Sequence, residues 1–497
     1  MVEDQNSNSS TSTRSGSSSR RSLVLALVIL AQFMVVIDFT IVQVALPSIG
    51  RELGVSINGL QWIVTGYSLT WAGFLMLSGR MGDIYSHKKL FIIGVLLFSL
   101  ASLTGGLAHS EIVLIVARIL QGLGAAMASA TGLSILVATF PEGKERNRVL
   151  GVMAAASGSG FAAGMILGGI ITTTFGWRWV FDINVPTGLV VSLLSIKYIS
   201  STIHRRACEH KHFDIIGAIS LTTGLMLLVY SLNVAQNIGI GSLLTIELLL
   251  LSSVVLAAFL LIEYRSKAPL VPLGFLRRGS IFGANAVGLL QVAASVGTIF
   301  ILTNYFQQIL GYSALYAGLA FVPIGVVFLV VSGFLSARLV NRFGVKPILI
   351  FGMILQTIGY LLLSRISLTE NYLGLLVPII LNGVGTGLGF TAINIAALTG
   401  TKRGEEGLAS GLINTSRGIG GPIGLAILLT VANFETQGQT GHQLVVQSAT
   451  EAAIVTGFGY AFWAAALLTG IGIIFAALLK QQRHHQSVDN KPKAEQL

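Results

Sequence analysis

From Leu23 onward the chain alternates long apolar runs with short polar breaks. A bilayer core about 30 Å thick needs about 20 apolar residues in a helix. On that measure fourteen spans follow: 22–46, 59–79, 90–108, 112–139, 149–173, 178–200, 214–234, 240–262, 281–304, 314–337, 345–365, 372–398, 407–432 and 454–479. Residues 1–21 are rich in Ser, Thr and Asn, the composition of a disordered tail. The first apolar run is too long for a signal-peptide core and lacks a small-residue cleavage site after it, so no cleaved leader is expected.

The polar breaks carry most of the charge. With the N-terminus in the cytoplasm, all but five of the 31 Lys and Arg fall on the cytoplasmic side, as membrane topology favours. The exceptions are Arg51, Arg178 and Arg365 near the outer side, and Arg118 and Arg417 inside spans. Fourteen spans place both termini on one side.

The chain also repeats itself. "LQGLGAA" at 120–126 in helix 4 returns as "LNGVGTG" at 381–387 in helix 12, and "SGRMGDIYSHKK" at 78–89 faces "SGFLSARLVNRFGVK" at 332–346. Helices 1–6 and 9–14 therefore read as related bundles of like orientation, with helices 7 and 8 inserted between them. The expected fold is an all-α polytopic membrane protein. Its segments are a tail at 1–21, a six-helix bundle at 22–200, a loop, helices 7 and 8 and a linker at 201–280, a second six-helix bundle at 281–479, and a tail at 480–497. Parallel repeats about an axis along the membrane normal suit a transporter with a midplane site.

Composition agrees. Hydrophobic residues make up 53% and charged residues only 10%, against about 25% charged in soluble domains. The 58 glycines allow transmembrane helices to approach closely. The net charge of +11 is spread over breaks between spans, so nucleic acid is not an expected partner. Cys208 is the single cysteine, which excludes an intrachain disulfide and a cysteine metal cluster. By these spans every histidine lies in a loop or tail, so no metal site is expected within the membrane. No phosphate loop, nucleophile elbow or histidine pair supports a membrane enzyme or a nucleotide-driven pump. No cofactor is expected. The expected partners are the lipid bilayer, protons and a small-molecule substrate, and the expected state is a monomer in a bacterial plasma membrane.

Polar residues inside the spans carry the candidate chemistry. Asp38 interrupts "VVIDFTIVQVALPSI". An ionised carboxylate in hydrocarbon is costly, so it should face the bundle interior or water. There it could hold a proton in one state and lose it in another; the plainer reading is an acid near the outer third of helix 1 that reaches water. Arg118 stays protonated and needs an acceptor. Asp38 is one candidate, and helix-end carbonyls are the alternative. Asp182 could pair with Arg178 at i, i+4 or serve as a second proton or substrate contact. Glu247 in helix 8 reads as locally hydrogen-bonded outside the cavity. Helices 10 and 13 carry no acid beyond Glu405 and Glu406 at the cytoplasmic edge. Candidate cavity residues are Gln43, Trp62, Tyr67, Trp71, Gln291, Tyr305, Asn394, Asn414 and Arg417, where aromatic and polar groups suit amphipathic ligands.

Five stretches carry a resemblance: "IDFTIVQVALP" at 37–47, "GRMGDIYSHKK" at 79–89, "RILQGLGAA" at 118–126, "GFAAGMILGG" at 160–169 and "WRWVFDINVP" at 177–186. "YFQQILGYSALYAGLAFVP" at 305–323 adds to them. The chain resembles the major facilitator superfamily, in its fourteen-helix drug:proton antiporter branch. The resemblance implies proton-coupled export of small amphipathic compounds, with Asp38 and Arg118 coupling the proton. The same fold could instead carry a metabolite, a siderophore or a self-made antibiotic. The resemblance also assigns Asp83, Lys88, Lys89, Arg338 and Arg342 to an inner gate, and Gly160, Gly164, Gly168 and Gly169 to an antiporter glycine motif. The chain departs from the family pattern at Ile84, Ser86, His87 and Ala337 in the gate loops. Met165 replaces the usual proline of the glycine motif, and Gln43 replaces a usual Asn.

Overall fold

The computed structural model describes residues 8–140, 144–199, 214–239, 241–266, 269, 273–276, 278–368, 371–398, 401, 406–440 and 447–479. The described residues contain no strand. In order, the long helical segments are α1 (Asn8–Leu53), α2 (Ile57–Met81), α3 (His87–Gly106), α4 (Glu111–Thr139), α5 (Lys144–Thr174), α6 (Arg178–Tyr198) and α7 (Ile215–Ile238). They continue as α8 (Leu243–Arg265), α9 (Gly279–Ile309), α10 (Ala314–Phe343), α11 (Val345–Leu363), α12 (Tyr372–Leu398), α13 (Glu406–Thr440) and α14 (Gln447–Leu478). Each expected span falls on one of them. Among the described residues twelve helices are long and apolar enough to cross a membrane, and α5 adds a shorter apolar stretch at Ser159–Thr174. The fourteen-span reading fits this set once the more polar α2 is included.

Polar caps set several helix starts. Ser56 Oγ accepts from Gly59 N at 3.3 Å, Ser242 Oγ from Thr245 N at 3.2 Å, and Asp214 Oδ1 from Gly217 N at 2.6 Å. Each satisfies an N–H that the first turn leaves open. Gly344, at φ +89°, ends α10 and admits α11 directly, in a region where a Cβ would be strained.

Several boundaries differ from expectation. α1 begins at Asn8, inside the segment expected as a disordered tail; extending an existing helix costs far less than nucleating one. The break at 80–89 is not a loop. Gly82–Ser86 forms a π-helical turn leading into α3, which places His87 on a helix rather than in a loop, buried at 8% exposure. α6 breaks at Ile183, because Pro186 has no N–H to donate back to Asp182. α13 runs past 432 to Thr440, so it contains Glu435 as well as Glu406.

The two bundles repeat each other contact for contact. α1 packs on α4, α5 and α6, α3 on α4 and α6, and α2 on α4. In the second bundle α9 packs on α12, α13 and α14, α11 on α12 and α14, and α10 on α12. The bundles meet through α2 with α13 and α5 with α10, which are equivalent pairs under the repeat. α7 lies over α2 and α13, and α8 lies on α7.

The ends differ. At the end away from the chain termini, one apolar cluster spans both bundles, joining Ile41, Leu46 and Ile63 to Phe300, Phe306, Phe321 and Leu428. Toward the terminal end each bundle keeps its own core: Val28, Phe91 and Phe98 in one, Leu349, Met353 and Ile393 in the other. Apolar contact between them there runs through Leu77, Ala218, Phe259 and Leu412 on the α7–α8 side.

Candidate functional site

The first bundle holds a charged network with no water-facing surface. Asp38 is 0% exposed and Arg118 is 1% exposed. Arg118 Nη1 donates to Asp38 Oδ2 at 2.5 Å and to Gln121 Oε1 at 2.9 Å, and its Nε donates to the Ile63 carbonyl at 3.1 Å. Gln121 Nε2 donates to Asp38 Oδ1 at 3.1 Å and to Ser102 Oγ at 2.6 Å, and Asn184 Nδ2 donates to Asp38 Oδ1 at 2.8 Å. The carboxylate thus receives donors at both oxygens, the arrangement an ionised group takes. The guanidinium lies 4.2 Å from the centre of the Tyr67 ring, a cation–π contact strengthened by exclusion of water.

Five helices build this network. α1 supplies Asp38, α4 supplies Arg118 and Gln121 one turn apart, α6 supplies Asn184 beside its break, α3 supplies Ser102, and α2 supplies Ile63 and Tyr67. α5 holds α1 in place from behind. A Cβ at Gly160 would lie 3.2 Å from Val36 Cγ1, and one at Gly168 would lie 2.9 Å from the Ile41 carbonyl. Gly164 faces Thr40 and the Ile37 carbonyl. These three glycines, four residues apart, share the α1-facing side. Gly169 faces the other bundle, where a Cβ would stand 2.8 Å from Leu315 Cα in α10. Helix α5 is therefore closely packed on one side within its bundle and on another side between bundles.

The second bundle carries a neutral counterpart. Gln291 Nε2 donates to Gln356 Oε1 at 3.0 Å, and Gln356 Nε2 donates to Thr386 Oγ1 at 2.6 Å. Gln291 is 2% exposed, so it belongs to a link among α9, α11 and α12 and not to an open pocket. The other cavity candidates divide. Trp62 faces outward to Tyr230 of α7, with ring centres 6.3 Å apart. Tyr67 serves the ion pair, and its hydroxyl donates to the Val35 carbonyl at 3.2 Å. Tyr305 donates to the Ser367 carbonyl at 2.6 Å within the far-end cluster. Gln43 is fully buried beside the same cluster, and neither amide atom finds a hydrogen-bond partner among the described residues. Trp71 packs on Gly418 of α13. Asn394 and Arg417 do come together, at 3.2 Å, and Asn414 is half-buried one turn before Arg417.

Two expectations are corrected. Arg178 does not pair with Asp182; it forms its ion pair with Glu52 at the end of α1, and Trp177 Nε1 donates to the same carboxylate at 2.7 Å. The break of α6 carries Asp182 toward Gly106 of α3 instead. Glu247 is exposed on α8, and among the described residues its side chain makes no hydrogen bond. Among the described residues Lys88, Lys89, Arg338 and Arg342 form no ion pair. Lys88 Nζ donates to the Ile196 carbonyl at 2.8 Å, within its own bundle, while Lys89, Arg338 and Arg342 are exposed. The side chain of Asp83 lies outside the described residues, as do Cys208, Lys402, Arg403 and Glu405.

Two six-helix bundles related by a repeat, with a desolvated ion pair in one of them, define a polytopic membrane transporter. The chain belongs to the Major Facilitator Superfamily, whose sequence profile matches residues 28–425. It is 36% identical to the cephamycin export protein CmcT of Amycolatopsis lactamdurans over 86% of this chain and 88% of that one. It is 34% identical to the puromycin resistance protein pur8 of Streptomyces alboniger over 93% and 91% respectively. Its fold is similar to a bacterial homologue of the human lysosomal transporter Spinster, with a TM-score of 0.66, 15% identity and coverage of 93% of this chain and 98% of that one.

Proposed function

We propose that the protein exports small amphipathic compounds, antibiotics among them, across a bacterial plasma membrane by alternating access, in exchange for entering protons. The relatives named for cephamycin export and puromycin resistance support the export reading. The buried Asp38–Arg118 pair carries the coupling reading. An ionisable carboxylate inside a membrane bundle, with a fixed cation beside it, can bind and release a proton as its access alternates. With both termini in the cytoplasm, the far end faces outward, and its apolar cluster supports a state closed to the outside. The exposed Lys89, Arg338 and Arg342 fit an inner gate that is not locked in this state. The glycine faces of α5 let the bundles rock without separating. The imposed gradient supplies the energy, so no cofactor is required, and one chain contains the whole pathway.

Everted vesicles test this. Puromycin, chloramphenicol or ethidium is added across an imposed pH gradient, and proton release is followed by a pH-sensitive dye. Wild type should release protons on drug addition, and Asp38→Asn should not. Equal release by the variant would remove Asp38 from the coupling step.

A further inference from the structure

Arg417 is the second buried arginine of the membrane region, and its surroundings differ from those of Arg118. It is 8% exposed. Nη1 donates to Asn394 Oδ1 at 3.2 Å and Nη2 to the Phe390 carbonyl at 3.1 Å, while Nε has no acceptor among the described residues. The Phe390 ring lies 4.4 Å from Cζ. Both acceptors are neutral, and among the described residues no carboxylate pairs with this guanidinium. A buried cation is normally matched by a counter-ion, because its desolvation is otherwise uncompensated. Holding α12 to α13 would not require a charge, since Asn, Gln or Thr would make the same links.

The position of Arg417 shows where a counter-ion could come from. Successive residues turn about 100° around a helix. α13 meets α9 through Gly420 and Gly424, which face the Leu289 and Ala293 carbonyls, and meets α2 through Gly411 and Gly418. Ile419 and Ile423 turn to α7 on the opposite side. Arg417 starts at the α9 contact, its Cγ 3.6 Å from a Cβ placed at Gly288, and its head reaches Asn394 and Phe390 on α12, while Asn414, one turn earlier and nearer the α2 side, is half-buried. The acceptors agree. Val377 is exposed on the lipid side of α12, and Phe390 projects about 140° around the helix from it. Phe390 and its neighbour Phe328, 5.5 Å away centre to centre, are both half-buried.

We propose that Arg417 is an anion-recognition site on the second-bundle wall of the transport path, so that the preferred cargo carries a carboxylate or comparable anionic group joined to an apolar body. Nε, buried here without an acceptor, and the unused hydrogens of the fork receive the anion as the path opens, and Phe328 and Phe390 flank the apolar part. A guanidinium is suited to this task because its planar fork matches a carboxylate. The inference rests on the export reading above and specifies the cargo of that site.

The test uses the full-length protein in proteoliposomes, with uptake measured for an anionic, a neutral and a cationic compound: fluorescein, chloramphenicol and ethidium. Wild type should move fluorescein, and Arg417→Gln should lower the ratio of fluorescein to chloramphenicol transport by roughly ten- to a hundredfold, the size of a lost charged hydrogen bond. Arg417→Lys, which keeps the charge but loses the fork, should restore part of that ratio. Fluorescein left unmoved while chloramphenicol or ethidium is moved would overturn the anion site and leave export standing. So would a fluorescein-to-chloramphenicol ratio that Arg417→Gln does not change. Movement of none of the three compounds would instead overturn the export reading, and the anion site with it.

Discussion

Asp38 and Arg118 stand 80 residues apart in the chain and meet at 2.5 Å in a site neither shares with solvent. The pair is held by neutral neighbours on three further helices, with Ser102 and Asn184 closing the network through side chains and Ile63 through its carbonyl. Removing one member of a buried pair leaves the other charge uncompensated, at a cost of about 3–5 kcal/mol in soluble proteins.

Asp38→Asn and Arg118→Gln should therefore each lower thermal stability in detergent, and the double variant should lose clearly less than the sum. A coupling energy of about 0.5–3 kcal/mol between contacting residues is the expected range. Unfolding curves of the four proteins supply the cycle. Additivity within about 0.5 kcal/mol would show that the two charges do not stabilise each other.

The packing of α5 on α1 gives a second expectation. Gly164 faces Thr40, and a Cβ there would also stand 3.1 Å from the Ile37 carbonyl. Overpacking of this kind costs about 1–3 kcal/mol. Gly164→Ala should lower the melting temperature, and Thr40→Ala in the same chain should recover part of the loss by removing the hydroxyl. Recovery should be incomplete, because the backbone carbonyl stays. A Gly164→Ala protein as stable as wild type would mean that α1 and α5 are not held at this distance.

Much of this arrangement was legible in the sequence. Apolar run length located the helices, because nothing but membrane crossing requires such runs so often. Two isolated charges in such runs, Asp38 and Arg118, had few other partners to choose from. Four-residue glycine spacing puts Gly160, Gly164 and Gly168 on one face of α5, and the structure shows that α1 packs there. The residues that escaped were neutral. Gln121 lies inside the quoted "RILQGLGAA", one turn after Arg118, and Asn184 lies inside "WRWVFDINVP". An amide on an apolar helix was the available signal, but amides also occur where they serve only packing. Ser102 had no signal, since its role comes from the α3–α4 contact alone. Helical spacing offers Asp182 to Arg178, but the break at Ile183 turns Asp182 to α3 and leaves Arg178 to Glu52.

The corrected pair at the far end should matter little. Glu52 and Arg178 are half and about one-third exposed, and exposed ion pairs contribute about 0–1 kcal/mol. Glu52→Gln should keep the Trp177 hydrogen bond, since the amide oxygen can still accept. The melting temperature should change by no more than about 2 °C. A larger drop would show that Glu52 anchors α6 to α1.

The far-end closure allows a direct test of alternating access. Leu315 N donates to Thr173 Oγ1 at 3.1 Å across the α5–α10 contact, which places the two Cα atoms within about 7 Å and in range of a disulfide or a short linker. Cys208 is the single native cysteine, so Cys208→Ser supplies a clean background. In that background Thr173→Cys with Leu315→Cys should cross-link on mild oxidation. If the far end must part for cargo to leave, the cross-linked protein should stop transporting, and reductant should restore it. Each single-cysteine protein should be indifferent to both reagents. Full cross-linking with undiminished transport would show that the α5–α10 contact stays closed throughout the cycle. The moving boundary would then lie along α2 and α13, the equivalent contact between the bundles.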